Sequence, residues 1–168
     1  MDNMFSIRTG SMADAADMAR IYDYYVAESE VIFSNRLLDA TEMRDKLECL
    51  GVGERFPFLI AEAQGKAAGY AYAHLWQPDP VYGGTWELTM YLDHECRGMG
   101  IGTALMGRLV EECRKGGAHM LLSCVTQGNQ ACERMCARAG FKLAGVLPET
   151  GFKFGRYLND ALYYLLLE

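Results

Sequence analysis

The stretch ECRGMGIGTALMGRLVEECRK, Glu95 to Lys115, sets glycines at 98, 100 and 102 at the mouth of a run with helical periodicity. A glycine inside a helix costs up to about 1 kcal/mol relative to alanine, so three of them imply that something must approach the backbone. Ile101, Leu105, Leu109 and Cys113 share one face of the run, and Gly116 and Gly117 stop it. TWELTMYL, Thr85 to Leu92, reads as a strand shortly before it. Strand, glycine loop and helix in that order present successive backbone N–H groups and the positive end of a helix dipole to an anion. A phosphate is the natural guest, although the same loop could be no more than a tight strand-to-helix turn.

Spacing separates the phosphate-binding loops. A Walker loop requires a lysine after its last glycine, and here Gly102 is followed by Thr103 and Ala104. The dinucleotide fingerprint GxGxxG fails as well, since its third glycine would fall at Thr103 or Leu105. What remains is Arg97-x-x-Gly100-x-Gly102 opening a helix behind the strand that carries Glu87.

Outward from this loop the chain alternates helices and strands. Ile7 and Arg8 begin a short strand, and Met18, Ile21, Tyr22, Tyr25 and Val26 form the stripe of an amphipathic helix. Asp39 with Glu42 resembles a helix-start box, and Met43, Leu47 and Leu50 give the next helix its apolar side, which Gly51 and Gly53 end. PFLIAEA, the turn QGK and AAGYAYAHLW read as a hairpin, followed by the loop QPDPVYGG. Beyond the glycine-led helix, AHMLLSCV is a buried strand, NQACERMCARAG a short helix from an Asn cap to a Gly stop, and FKLAGV and NDALYYLLL the last strands. The order predicts one α/β domain over residues 1–168, built on a mixed sheet.

Composition narrows the function. With 168 residues, 51% hydrophobic and 23% charged, the chain can bury a core of its own. A net charge of −6 argues against a nucleic-acid surface, which draws its affinity from clustered Lys and Arg. The first residues lack the basic segment and apolar run of a secretory signal, and no apolar stretch is long enough to span a bilayer, so a cytoplasmic protein is expected. Cysteines 49, 96, 113, 124, 132 and 136 make no CxxC pair and are expected to be buried and reduced, and histidines 74, 94 and 119 are too scattered for a metal site.

RGMGIG resembles the [Q/R]-x-x-G-x-[G/A] pattern by which the GNAT superfamily of N-acetyltransferases cradles the pyrophosphate of acetyl-coenzyme A. The likeness runs through IRTGSMADAADMARIYDYYV, PFLIAEAQGKAAGYAYA, WELTMYLDHECRGMGIG and the segment from Gly128 to Leu166, nearly the whole chain. GFKFGRYLND points to the phosphinothricin N-acetyltransferase-like branch. The resemblance implies a twisted, mostly antiparallel mixed sheet flanked by helices, acetyl-CoA as cosubstrate, a small amine as acceptor, no metal and a two-fold homodimer. It also implies that Arg97, Gly98, Met99, Gly100, Ile101, Gly102 and Thr103 hold the pyrophosphate, that backbone N–H groups near Met90 and Leu92 hold the thioester, and that Asn129 contacts the coenzyme. Asn129 is equally suited to cap its helix.

An amine attacks a thioester only when neutral, and holding an amine of pKa ~9.5 deprotonated at pH 7 costs about 3.4 kcal/mol. A base in the site relieves this. In TWELTMYL, alternation puts Thr85, Glu87, Thr89 and Tyr91 on one face, which leaves a mid-strand carboxylate opposite the apolar layer. Glu87 matches the central-strand glutamate of the branch and is the candidate base; a glutamate facing solvent on an open sheet is the alternative. Where relatives place a tyrosine or histidine as general acid this chain has Cys136, which sits with Cys132 and Met135 and suits packing as well as proton donation. The branch carries a basic residue in the loop before the glutamate strand, and QPDPVYGG has none. Lys153 keeps a family position near the acceptor pocket, and Phe33 and Trp76 are apolar candidates for its walls. The acceptor is expected to be an amino acid or analogue of the phosphinothricin or methionine sulfoximine type. A polyamine, an aminoglycoside or a protein N-terminus is the alternative, as is a non-catalytic acyl-CoA sensor.

Overall fold

A computed structural model describes residues 4–168. Its elements follow the predicted order: β1 (Ser6–Thr9), α1 (Ala15–Glu28), α2 (Ala40–Cys49), β2 (Phe58–Ala63), β3 (Lys66–Leu75), β4 (Thr85–Leu92), α3 (Ile101–Lys115), β5 (Met120–Thr126), α4 (Gln130–Arg138), β6 (Lys142–Lys153) and β7 (Arg156–Leu166). The strands form one sheet in the order β1-β2-β3-β4-β5-β7-β6. Every neighbouring pair is antiparallel except β4 with β5.

The helix-start box closes as read. Glu42 N–H donates to Asp39 Oδ1 at 2.8 Å and Asp39 N–H to Glu42 Oε2 at 3.0 Å, which satisfies two of the free N–H groups at the start of α2. The α1 stripe Met18, Ile21, Tyr22, Tyr25 and Val26 is buried with Met43 and Leu47 of α2 against Phe58, Ile60, Tyr70 and Tyr72, one face of β2 and β3. On the opposite face Leu59, Ala71, Ala73, Trp86 and Leu88 pack against Ile101, Leu105 and Leu109 of α3. The sheet is therefore a middle layer between two helical layers, as period-two alternation on β2, β3 and β4 requires.

Two differences from the sequence reading have local causes. β6 does not stop at Val146 but continues to Lys153, with register breaks after Leu143 and Leu147. Pro148, which has no N–H to give the ladder, sits in the second break and hides the strand from a pattern reading. The six thiols are all free, but they are not all buried: Cys113 and Cys136 are, Cys96 and Cys132 are half-buried, and Cys49 and Cys124 are exposed. Cys49 closes the outer face of α2, and Cys124 alternates away from the apolar side of β5.

The feature that positions the site is a parting of the sheet. β4 and β5 pair only at Thr85 with Met120, Trp86 with Leu121 and Glu87 with Leu122. β4 then follows β3 as far as Leu92, while β5 follows β7 as far as Thr126.

Candidate active site

A cavity of about 650 Å³ opens in this parting and reaches both faces of the sheet. Tyr22, Tyr25, Ile32, Phe33 and Lys46 line it on the α1/α2 side, and Met106, Cys132, Met135 and Cys136 on the α3/α4 side. Glu87, Met90, Leu92, Cys124, Thr126 and Asp160 line it at the sheet.

Backbone direction along β4 follows from two hydrogen bonds. Asp93 N–H donates to Ala68 O at 2.9 Å and Trp76 N–H to Thr85 O at 3.1 Å, so the odd-numbered residues of β4 turn their backbone groups to β3. Met90 and Leu92 turn theirs to the other edge, beyond the last pair with β5. The Leu92 carbonyl there accepts the Tyr25 hydroxyl at 2.6 Å. The result is a strand edge with unpaired N–H groups facing a cavity, an arrangement suited to a carbonyl oxygen that gains charge.

The glycine loop divides its labour. Gly98 and Gly100 have φ of 79° and 82°, and a Cβ on either would meet nothing within 4 Å, so they supply a left-handed backbone that leaves the space above it open. Gly102 is buried, and a Cβ there would lie 3.2 Å from Leu92 Cδ1 and 3.3 Å from Met135 Sδ, so it lets α3 pack closely. The first intrahelical bond runs from Ala104 N–H to Gly100 O, which leaves the N–H groups of Ile101, Gly102 and Thr103 free at the positive end of α3. Ile101 is itself buried and Met99 leans on the core, so both serve through the backbone. The guanidinium of Arg97 lies 5.3 Å from the Tyr25 ring centre and 5.9 Å from that of Tyr24, and it also faces the cavity. Free N–H groups, open space and a stacked cation fit a pyrophosphate.

Glu87 is half-buried, paired across the strands with His74 on β3 and Leu122 on β5, and lines the cavity. The face it shares with Thr89 and Tyr91 is not open to solvent but covered by α1 and α2, with Tyr91 packed among Tyr22, Tyr25 and Tyr70. Cys124 opens onto the cavity beside it; desolvation between the strands, and then the charge of Glu87, push the thiol up to about 12. Burial also raises the Cys136 thiol, which donates to Ser123 Oγ at 3.8 Å. Asn129 caps α4, its Oδ1 accepting from Cys132 N–H at 3.3 Å, and it lines the cavity as well.

The acceptor-side candidates separate. Phe33 lines the cavity and presses on the bare backbone of Gly151, where a Cβ would come within 2.5 Å of its ring. Trp76 lies away from the cavity and meets Tyr82 edge-on at 5.4 Å between ring centres. Lys153 does not face the cavity either. It is 3% exposed, and its Nζ donates to Ile32 O at 3.0 Å and to Tyr25 O at 3.4 Å, so it ties the loop after α1 to the β6–β7 hairpin. Burial lowers its pKa. Sequence reasoning missed Tyr22, Tyr25 and Lys46 as cavity lining, because they lie on helices, where the tyrosines read as core and the lysine as surface.

The model of the acetyltransferase (GNAT) family matches residues 18–141. A phosphinothricin N-acetyltransferase of Alcaligenes faecalis is 36% identical over 151 residues, covering 89% of this chain and 76% of the relative. An L-methionine sulfoximine/L-methionine sulfone acetyltransferase of Pseudomonas paraeruginosa is 30% identical over 164 residues, 97% of this chain and 95% of the relative. A GNAT superfamily phosphinothricin acetyltransferase from Sinorhizobium meliloti, solved with acetyl-CoA, matches with a TM-score of 0.92 at 28% identity, over 98% of this chain and 89% of that one. The parted sheet, the anion-binding glycine loop and these likenesses converge, and the chain belongs to the acetyltransferase (GNAT) family as an acetyl-CoA-dependent N-acetyltransferase.

Proposed function

We propose that this enzyme acetylates the primary amine of a small amino acid or amino-acid analogue, of the kind named for its relatives, by direct attack with Glu87 as general base. The observation that carries the proposal is the position of Glu87: the last residue of β4 paired with β5, at the point where the sheet opens into the cavity. Bound acetyl-CoA supplies the thioester carbonyl. The N–H groups of Ile101 to Thr103, with Arg97, hold its pyrophosphate, and those of Met90 and Leu92 hold the acyl oxygen as it gains charge. Glu87 takes the proton of the acceptor amine, directly or through a water, on the face lined by tyrosines. An acceptor entering from the α1/α2 side and a coenzyme held from the α3/α4 side would meet in the parting.

Replacement of Glu87 by Gln tests the base. Turnover at pH 7 should fall by roughly 10²–10⁴, the usual range for a lost general base. The acetyl-CoA dissociation constant should stay unchanged, and the deficit should narrow as pH rises and the amine deprotonates unaided. Unchanged turnover at pH 7 would remove Glu87 from this role. The acceptor is tested by thiol release from acetyl-CoA with phosphinothricin, methionine sulfoximine, the common amino acids, spermidine and an aminoglycoside. Release specific to the amino-acid group is the expected result.

A further inference from the structure

We infer that Lys46 receives the acidic group of the acceptor and so makes the enzyme prefer amino acids over amines that lack an acid; this rests on the acceptor reading above. Four charged side chains line the cavity: Lys46, Glu87, Arg97 and Asp160. Arg97 is stacked over Tyr24 and Tyr25, next to the glycine loop. Asp160 lies on β7 opposite Thr126 of β5, where its Oδ2 accepts from Thr150 Oγ1 at 3.2 Å. Lys46 is the cation of the tyrosine-lined half. It projects from α2 with Nζ 5.0 Å from the ring centre of Tyr22, which in turn meets Tyr91 edge-on at 6.3 Å. Tyr91 shares the face of β4 that carries Glu87, so a base and a cation bracket one wall of tyrosines.

Nothing among the described residues neutralises Lys46. It makes no ion pair, Glu42 one turn earlier on α2 being paired with Arg36, and burial alone lowers its pKa, with no acidic group opposing the shift. A half-buried ammonium held only against an aromatic face gains most when a ligand brings the missing anion. The loop Gln77–Gly84, none of whose residues lines the cavity, has no Lys or Arg to compete for that role.

The test uses acceptors that differ by one acid. L-methionine sulfone is compared with 3-(methylsulfonyl)propylamine, which lacks the α-carboxylate, and L-phosphinothricin with L-methionine sulfone, which lacks the side-chain phosphinate. Wild-type enzyme should favour the acid-bearing member of at least one pair. In Lys46→Gln and Lys46→Met, KM for that member should rise roughly ten- to hundredfold, the range for losing a charge-assisted hydrogen bond. KM for its partner and for acetyl-CoA should not move, and Lys46→Arg should recover most of the loss. The pair that responds identifies which acid Lys46 meets. A KM change of equal size on both members, or none, overturns the role of Lys46 and leaves the acceptor reading standing. A wild-type preference for the acid-free amine, or silence toward every acceptor, overturns both.

Discussion

The family resemblance implies a proton donor to the departing thiolate at the position that Cys136 holds in this chain. Burial raises its thiol above the ordinary cysteine value, which makes it a weaker acid than an unburied thiol such as that of the departing coenzyme. Transfer from the weaker acid to the more stable thiolate is uphill, so we expect the thiolate to leave without help from Cys136. The residue is 1% exposed, on the core side of α4 with its thiol on Ser123, a setting suited to packing. Cys136→Ala should therefore keep kcat within about threefold and leave the pH profile unchanged, at a cost to stability of about 1 kcal/mol for the small void. A loss of two orders of magnitude in kcat, together with a missing alkaline limb, would restore it as the acid. Glu87 differs because alternation on one strand reveals it, whereas no local pattern shows what a thiol on a short helix faces. Cys136 was legible as a departure and its role was not. That Trp76 and Lys153 do not line the cavity was hidden for a similar reason: it depends on how a loop and a hairpin fold back, which neighbouring residues do not encode.

At the scale of elements, the β4–loop–α3 unit was the most legible part of the chain, because strand period, glycine spacing and helix stripe all agree within some thirty residues. The structure adds that the glycines are not equivalent. Gly100 stands at φ 82°, where an L side chain is strained by about 1–2 kcal/mol although the space beside it is empty. Gly102 has helical geometry, and only the flexible ends of Leu92 and Met135 oppose a methyl group there. Gly100→Ala should lower the stability read from urea melts by about 1 kcal/mol and weaken acetyl-CoA binding about tenfold, since the N–H groups it aims shift with the backbone. Gly102→Ala gains up to about 1 kcal/mol of helix propensity against a displacement of a few tenths of an ångström, and should come out near neutral. The reverse order of the two variants would show that close packing, not left-handed backbone, is what the loop requires. β6 was the least legible element. Its partner β7 lies across a hairpin whose turn residues are Phe154 and Gly155, at φ of 49° and 78°, and a phenylalanine in that position carries no turn signal.

At the scale of the molecule, that hairpin links the acceptor wall to the outer edge of the sheet. Lys153 holds the carbonyls of Tyr25 and Ile32, Arg156 pairs with Glu30, Thr126 Oγ1 donates to Glu30 O at 3.0 Å, and Phe33 rests on Gly151. The loop from Ser29 to Ser34 is thereby fixed from beneath by β5 and by β6–β7. The same hairpin exposes Leu143, Leu147, Phe152, Phe154, Tyr157 and Leu166, with Phe152 and Tyr157 packed edge-on at 5.0 Å, and β6 is an edge strand. An apolar edge of this kind is an association surface where it is not blunted; Pro148 and the two register breaks blunt the middle of β6, and the exposed pair Phe152 and Tyr157 lies beyond them. We therefore expect the two-fold dimer that the family resemblance implies to form through β6 and β7. Sedimentation equilibrium should give twice 18.8 kDa for the wild type. Phe152→Glu with Tyr157→Glu places charges on the exposed edge without touching Lys153 or Gly151, so it should give 18.8 kDa with the fold intact by circular dichroism. A monomeric wild type would refute the interface. A monomeric double variant with an unchanged acceptor KM would show that the hairpin holds the acceptor wall by its intrachain ties alone.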